Sequence, residues 1–477
     1  MKVAEMSTKG DFQFTSKYRG AILACCLSLA VACGEPAPPR HLVIVVLDTV
    51  GVEHLSLYGY SRETTPFLED LAGSAHVFRG VKATAPWTVP SHASLFTGLW
   101  PSEHEAQWGR YVLAPRHQTL AEVLKERGFL TEALSTNNFV SHPTGLTQGF
   151  SRYGQIGGPP QNRTNLLFQA LPEILDRGKQ GNRRLFLFLN LMDAHIPYNT
   201  ETFAQAFGVG RPGGPVNTHD IKWQVNAKKI TLAPRTWQQH RAAYDAAIRG
   251  LDQSMEKLVA LLRKRRMLDD TLLVITSDHG EGLGAHSEIG HSISVWEEQL
   301  AVPLLVRLPP GHKSRTPPDM TSLVALAPTV LDWLGVERPP RWQAMPDLYS
   351  VKQQTITADY RSYFSDARQA NKDIARDYPQ LSAKIVHSHV VYCDELKLIM
   401  RPDRSVVYYD LAHDPQEARA LVGPLGYEPY QSCSKRYHQL RAQGRFTPFS
   451  DQPTLQQSQE AEQALDRESL RALGYIP

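Results

Sequence analysis

The chain of 477 residues is poor in several things at once, and each shortage closes off a class of protein. It has five cysteines, and three of them, Cys25, Cys26 and Cys33, fall before residue 34. The remaining two, Cys393 and Cys433, are too few for a disulfide-built scaffold and wrongly spaced for a zinc knuckle. They either pair in an exported chain or stay reduced and buried, and the sequence leaves that choice open. No apolar run approaches the roughly 20 residues that a membrane-crossing helix needs. Charge of one sign is also scarce: 51 Lys and Arg stand against 48 Asp and Glu, a net charge of +3. Such a balance gives no basic field to attract nucleic acid. Repeats are absent as well. What is present is ordinary globular composition, with 42% hydrophobic residues, in a length suited to two or three domains or to one large domain plus a subdomain.

The N-terminus is read as an address. Lys17 and Arg19 precede the apolar run Ala21 to Ala32, the shape of a secretory signal. Ala30-Val31-Ala32-Cys33 resembles a bacterial lipobox, which would make Cys33 a lipidated N-terminus and a membrane anchor. Plain secretion and a buried N-terminal helix are the second and third readings. The expected organisation is a leader over 1–33, a tether over 34–40, a catalytic α/β domain over 41–340, and a C-terminal part over 341–477. The expected location is the periplasm or outer membrane of a bacterium as a lipoprotein, or the medium.

In the body, the runs Leu42 to Leu47, Leu185 to Leu191, Leu272 to Thr276 and Val302 to Val306 predict strands buried on both faces. Helical patterns alternate with them. Thr119 to Arg127 carries a capping box, Tyr244 to Arg265 and Ser322 to Leu334 are amphipathic, and Pro90 opens a helix ending near Leu99. Alternation of this kind predicts a doubly wound, mostly parallel α/β sheet with helices on both faces. Val390 to Met400 and Ser405 to Leu411 show strand composition without helices between them, which predicts a small antiparallel subdomain. The stretch 340–385 is ambiguous, Ser432 to Ser458 reads as loop and surface helix, and Glu460 to Tyr475 as a terminal helix.

The first three strands share one property. Each is followed by acid: Asp48 after the first, Asp193 after the second, and Asp278-His279 after the third. Ligands of open α/β sheets bind outside the carboxyl ends of the strands. Carboxylates gathered there repel one another, and a metal ion is the economical way to keep them ionised.

Six segments in fixed order, Leu47–Ala72, Ala85–His104, Thr119–Leu134, Val274–Pro309, Ala325–Val336 and Tyr408–Leu421, resemble the landmarks of the sulfatases, within the alkaline phosphatase superfamily. The resemblance runs from about residue 41 to the end, weakest over 196–243 and 340–385. It implies an alkaline-phosphatase-like fold and a metal-dependent hydrolase of small-molecule or glycan esters. In that family the nucleophile motif opens with a Cys or Ser that becomes formylglycine. Here it opens with Thr88, in Thr88-Val89-Pro90-Ser91-His92, and threonine cannot make that conversion. A formylglycine hydrate expels sulfate by collapsing to an aldehyde, whereas a threonyl ester needs a second attack on the central atom, which suits phosphorus. The expected chemistry is therefore cleavage of phosphate mono- or diesters, or sulfate esters, through Thr88. Ser91 is the minor candidate nucleophile.

The resemblance further implies a metal held by Asp48, Thr88, Asp278 and His279, with Thr49 where the family has a second acid. Fewer carboxylates and an imidazole favour Zn²⁺ or Mn²⁺ over Ca²⁺ or Mg²⁺. A second ion on Asp193, His195 and His291 is the alternative, disfavoured because Pro197 stands where two-metal relatives place a His. His92 stands where the family places an Arg that holds the nucleophile. His195 matches a His that contacts the ester or protonates the leaving group, and His291 and Asn137 lie at substrate-binding positions. Three rival readings remain: a true sulfuric ester hydrolase without formylglycine, a transferase of phosphoethanolamine type, and an inactive binding protein. Oligomeric state is not legible.

Overall fold

Strand β1 (His41–Leu47) has all seven residues buried, and its side chains alternate between two apolar layers. Leu42, Ile44 and Val46 face one core and Val43, Val45 and Leu47 the other. Because successive side chains point to opposite faces, a strand of β-branched and Leu residues throughout fits only a sheet covered on both sides. The computed structural model describes residues 37–157, 160–210, 219–312, 315–351, 356–361, 374–421 and 428–449. The leader over 1–33, the first part of the tether and the terminal helix predicted over 460–475 lie outside these residues.

The remaining strands of the large sheet are β2 (His76–Lys82), β3 (Phe129–Ser135), β4 (Arg152–Gln155), β5 (Arg184–Leu191), β6 (Thr271–Thr276), β9 (Ala301–Arg307) and β10 (Thr321–Ser322), ordered β10-β2-β9-β6-β1-β5-β3-β4. Between β6 and β9 lies a two-stranded hairpin, β7 (Gly282–Leu283) and β8 (Ile289–Gly290). β1 pairs in parallel with both β5 and β6, so the carboxyl ends of these three strands meet on one edge. β9, expected as one more buried strand, runs antiparallel to β6 and β2. The reason is the connection: the chain leaving β6 stays at the carboxyl edge through the hairpin and a single turn of helix, with no crossover to carry it back.

Helices cover both faces. On one lie α1 (Thr88–Thr97), α2 (Leu120–Glu126) and α6 (Leu326–Trp333); on the other lie α3 (Pro160–Lys179) and α5 (Pro234–Lys264). The helix α4 (His219–Asn226) packs on β8. The capping box of α2 forms as predicted: the Thr119 hydroxyl accepts from the Glu122 amide at 3.2 Å, and the Glu122 carboxylate accepts from the Thr119 amide at 2.8 Å. α1 begins at Thr88 rather than at Pro90, and all ten of its residues are buried.

A second sheet, β11 (Thr357–Tyr360), β12 (Ser388–Cys393), β13 (Leu396–Met400) and β14 (Val406–Asp410), is antiparallel throughout. β11 comes from the stretch that the sequence left ambiguous. Helix α7 (Glu428–Ala442) closes on this sheet, and Cys393 of β12 is bonded to Cys433 of α7. The two sheets are welded by buried ions. Lys397 of β13 donates to Glu297 at 2.9 Å and pairs with Glu417 at 2.8 Å. Glu297 also accepts from Lys82 of β2 and, at 2.7 Å, from the Tyr392 hydroxyl. No helix among the described residues is long and apolar enough to cross a membrane.

Candidate active site

The parallel triplet β5-β1-β6 delivers Asp48 and Asp278-His279 to the same edge, and their donor atoms lie within 4.8 Å of one another, all buried. Each is oriented by its surroundings. Asp48 Oδ2 accepts from Asn137 Nδ2 at 2.7 Å and from Asn190 Nδ2 at 3.1 Å. Asp278 Oδ1 accepts from the amides of Thr49 at 3.2 Å and His279 at 3.0 Å. His279 Nδ1 donates to the Gly280 carbonyl at 2.9 Å, which turns the Nε2 lone pair toward the acids.

Three atoms are left over. Asp48 Oδ1, Asp278 Oδ2 and His279 Nε2 are buried without a hydrogen bond. Asp278 Oδ2 lies 3.3 Å from His279 Nε2 and 3.4 Å from His92 Nδ1 without bonding to either. Burial, joined by the Asp278 charge, pushes Asp48 up to about 7; burial likewise pushes Asp278 up to about 7. Two acids so raised, with unspent lone pairs turned on one point beside a free imidazole nitrogen, fit a divalent cation.

Thr88 opens α1 at this edge. Its hydroxyl oxygen lies 3.4 Å from Asn137 Nδ2, so one amide touches both Asp48 and Thr88. The helix start places backbone N–H dipoles behind Thr88, a setting that favours negative charge. Ser91 is spent, since its hydroxyl donates to the Asp278 carbonyl at 2.6 Å. His92 Nδ1 meets the Thr88 carbonyl at 3.0 Å rather than its hydroxyl, and Nε2 lies 3.4 Å from Asn190 Nδ2. Burial holds the His92 imidazole down at about 3, so it is neutral. Thr49 takes a left-handed conformation at φ 64°, and its hydroxyl meets the Ala194 carbonyl at 2.8 Å, away from the acids.

The other histidines converge. The His291 ring centroid is 4.5 Å from that of His279 and 4.8 Å from that of His195. His291 Nδ1 is 3.0 Å from Glu281 Oε2, across the mouth of the β7–β8 hairpin. His195 Nδ1 donates to the Ile196 carbonyl at 2.7 Å, and burial holds this ring at about 3. A small cavity opens beside it, lined by Thr136, Arg163, Met192 and Asp193. Asp193 itself turns away: its carboxylate accepts from Thr164 and from Asn199 at 2.7 Å.

Sequence reasoning missed Asn190, Glu281 and Lys222 as members of this region. Asn190 had a signal, one amide in the doubly buried run Leu185 to Leu191. Lys222 had none, because it comes from a helix in the stretch of weakest resemblance.

The sulfatase family model matches residues 40–336. Arylsulfatase K of Xenopus laevis is 24% identical over 458 residues, covering 85% of this chain and 83% of its own. Human N-sulphoglucosamine sulphohydrolase is 27% identical over 447 residues, covering 88% and 86%. The structure of a phosphonate monoester hydrolase of Agrobacterium radiobacter superposes with a TM-score of 0.65 at 19% identity, covering 85% of this chain and 96% of its own.

Proposed function

The chain belongs to the sulfatase family and is an ester hydrolase, and from that premise we propose that it cleaves esters of a tetrahedral oxyanion through Thr88. The observation that carries this reading is the position of the Thr88 hydroxyl: buried at the start of α1, tied through one Asn137 amide to Asp48, beside three unspent ligand atoms. Asp48, Asp278 and His279, joined by Thr88, would hold a divalent cation, Zn²⁺ or Mn²⁺ by the chemistry of that donor set. When bound, such an ion lowers the pKa of the hydroxyl and offsets charge on the ester oxygen.

The chain's own groups do the rest. Thr88 Oγ1 gives up its proton to solvent and attacks the central phosphorus or sulfur, and the bond to the leaving alcohol oxygen breaks. Asn137 keeps Thr88 and Asp48 in register. His195 at rest is neutral and carries its proton on Nδ1, so its role as general acid requires Nε2 to gain a proton as the anionic ester arrives. Water then cleaves the threonyl ester by a second attack on the central atom, the step that favours phosphorus over sulfur. A sulfuric ester substrate is the second reading, favoured by the sulfatase and sulphohydrolase names of the relatives.

The test is a panel of aryl sulfate, phosphate monoester, phosphodiester and phosphonate monoester, assayed with added Zn²⁺ or Mn²⁺. Thr88→Ala should lose at least about a thousandfold in kcat/KM on every ester that the wild type cleaves. Near wild-type turnover by the variant would remove Thr88 from the mechanism. The same reading places the protein outside the cytoplasm with Cys33 as lipid anchor. The Cys393–Cys433 bond supports export, since disulfides persist in oxidising compartments. Incorporation of labelled fatty acid into wild type but not Cys33→Ala tests the anchor.

A further inference from the structure

Lys222 is 7% exposed, and its ammonium has no hydrogen-bond or ion-pair partner among the described residues. The Trp223 ring lies under it, 5.6 Å from Nζ to the centroid. An ammonium held largely out of water without a close counter-ion is unfavourable. A ring face and the more distant Glu281 charge offset that only in part.

The lysine is nevertheless held in place. The Asn226 side-chain amide donates to the Ile289 carbonyl at 2.9 Å and accepts from the Ile289 amide at 2.9 Å, which clamps α4 on β8. Lys222 lies one helical turn before Asn226, on the same helix face. A Cβ on Gly290 would stand 2.6 Å from Lys222 Cε and 2.8 Å from Nζ, so glycine, here at φ +87°, makes room for the chain. The ammonium thus enters beside the hairpin that carries Glu281 before β7 and His291 after β8. Its charge is felt at His195, His279 and His291. Burial holds those three rings neutral, and His195 and His279 each spend their one N–H on a backbone carbonyl, so they bring an anion no charge.

We propose that Lys222 is a substrate-binding residue whose ammonium takes a non-bridging oxygen of the sulfuryl or phosphoryl group. The inference rests on the reading of the site as one for a tetrahedral oxyanion. The arriving anion supplies a closer counter-ion than Glu281 provides, and α4 becomes part of the active site.

The probes are inorganic phosphate and inorganic sulfate, titrated calorimetrically into the full chain with Zn²⁺ or Mn²⁺ present. Lys222→Met should weaken binding of whichever anion the wild type binds by ten- to a hundredfold. Lys222→Arg should restore most of it, and stabilisation by added metal should be the same in all three proteins. Wild-type affinity in Lys222→Met, or no binding of either anion by the wild type, overturns the proposal. A measurement on the unmutated protein removes any dependence on how the variants fold. Phosphate should slow reductive methylation of Lys222 severalfold relative to the exposed Lys228, and equal protection overturns the proposal. The nucleophile is judged separately. If Thr88→Ala loses turnover while Lys222→Met binds anions normally, only the lysine assignment falls. If Thr88→Ala keeps turnover while Lys222→Met loses the anion, only the nucleophile falls.

Discussion

Two places in the molecule gather acid and imidazole in almost the same composition, and they are opposite in kind. Asp48, Asp278 and His279 form one; Asp359, His387 and His389 form the other, and all six are buried. In the second, Asp359 Oδ1 faces His387 Nε2 at 3.2 Å, and Oδ2 accepts from the Thr447 amide at 2.8 Å. His389 reaches the Thr447 carbonyl at 2.8 Å and the Tyr437 hydroxyl at 3.1 Å, stacked between the rings of Phe446 and Phe449. Both oxygens of Asp359 and both ring nitrogens of His389 are spent. Burial alone would push Asp359 up, but the His387 hydrogen bond, the neighbouring imidazole charges and the Thr447 bond outweigh it and hold the carboxyl at about 2. Asp48 and Asp278 go the other way, to about 7. Residue type therefore does not separate a candidate metal site from a structural knot; unspent lone pairs do.

The largest expected effect that sharpens the contrast is at Asp48. Asp48→Asn should lower kcat/KM at least about a thousandfold, or about 4 kcal/mol, and the purified variant should contain no stoichiometric metal. A variant that retained both metal and turnover would erase the distinction. Asp359→Ala should act on stability instead, by about 3 kcal/mol for a buried hub stripped from its donors, with metal content unchanged. Denaturant unfolding beside elemental analysis decides it.

Acid should select the second cluster. An acid held at about 2, below its ordinary 3.8, stabilises the fold above that ordinary value, and the contribution is lost as pH falls toward 2. His389, lowered by burial from 6.5 to about 4, adds a loss over that interval on acidification. The Asp359 part is on the order of 2 kcal/mol, and Asp359→Asn should flatten this limb of the stability curve. The smallest effect belongs to the outer support of the first cluster. Asn190→Ala removes one of two amides on Asp48 Oδ2 and should weaken metal affinity about tenfold by competition titration.

The sheet was legible because doubly buried parallel strands are written as continuous Val, Leu, Ile and Phe, and the acids at their ends follow from that placement. Asp48, Thr88, Asn137, Asp278, His279, His195 and His291 all lie in short segments anchored to strand or helix ends, where position in sequence fixes position in space. The direction of β9 was not legible, because it depends on where the connecting chain travels rather than on the strand's own residues. The start of α1 shifted by two residues, since Pro90 tolerates the first turn without having to begin it. Lys222 and the knot around Asp359 are tertiary meetings: a helix brings one, and a β11 hidden in ambiguous sequence brings the other. Whether Cys393 and Cys433 pair depended on α7 docking on β12, which no spacing rule gives.

The ionic weld between the sheets also sets what can be cut away. A shortened gene product that stopped before β12 would take Lys397, Tyr392 and Glu417 from around Glu297 and open that seam to water, with Lys82 as the partner still in place. The larger sheet is thus no free-standing module, and a minimal catalytic fragment of this chain has to carry its small sheet with it.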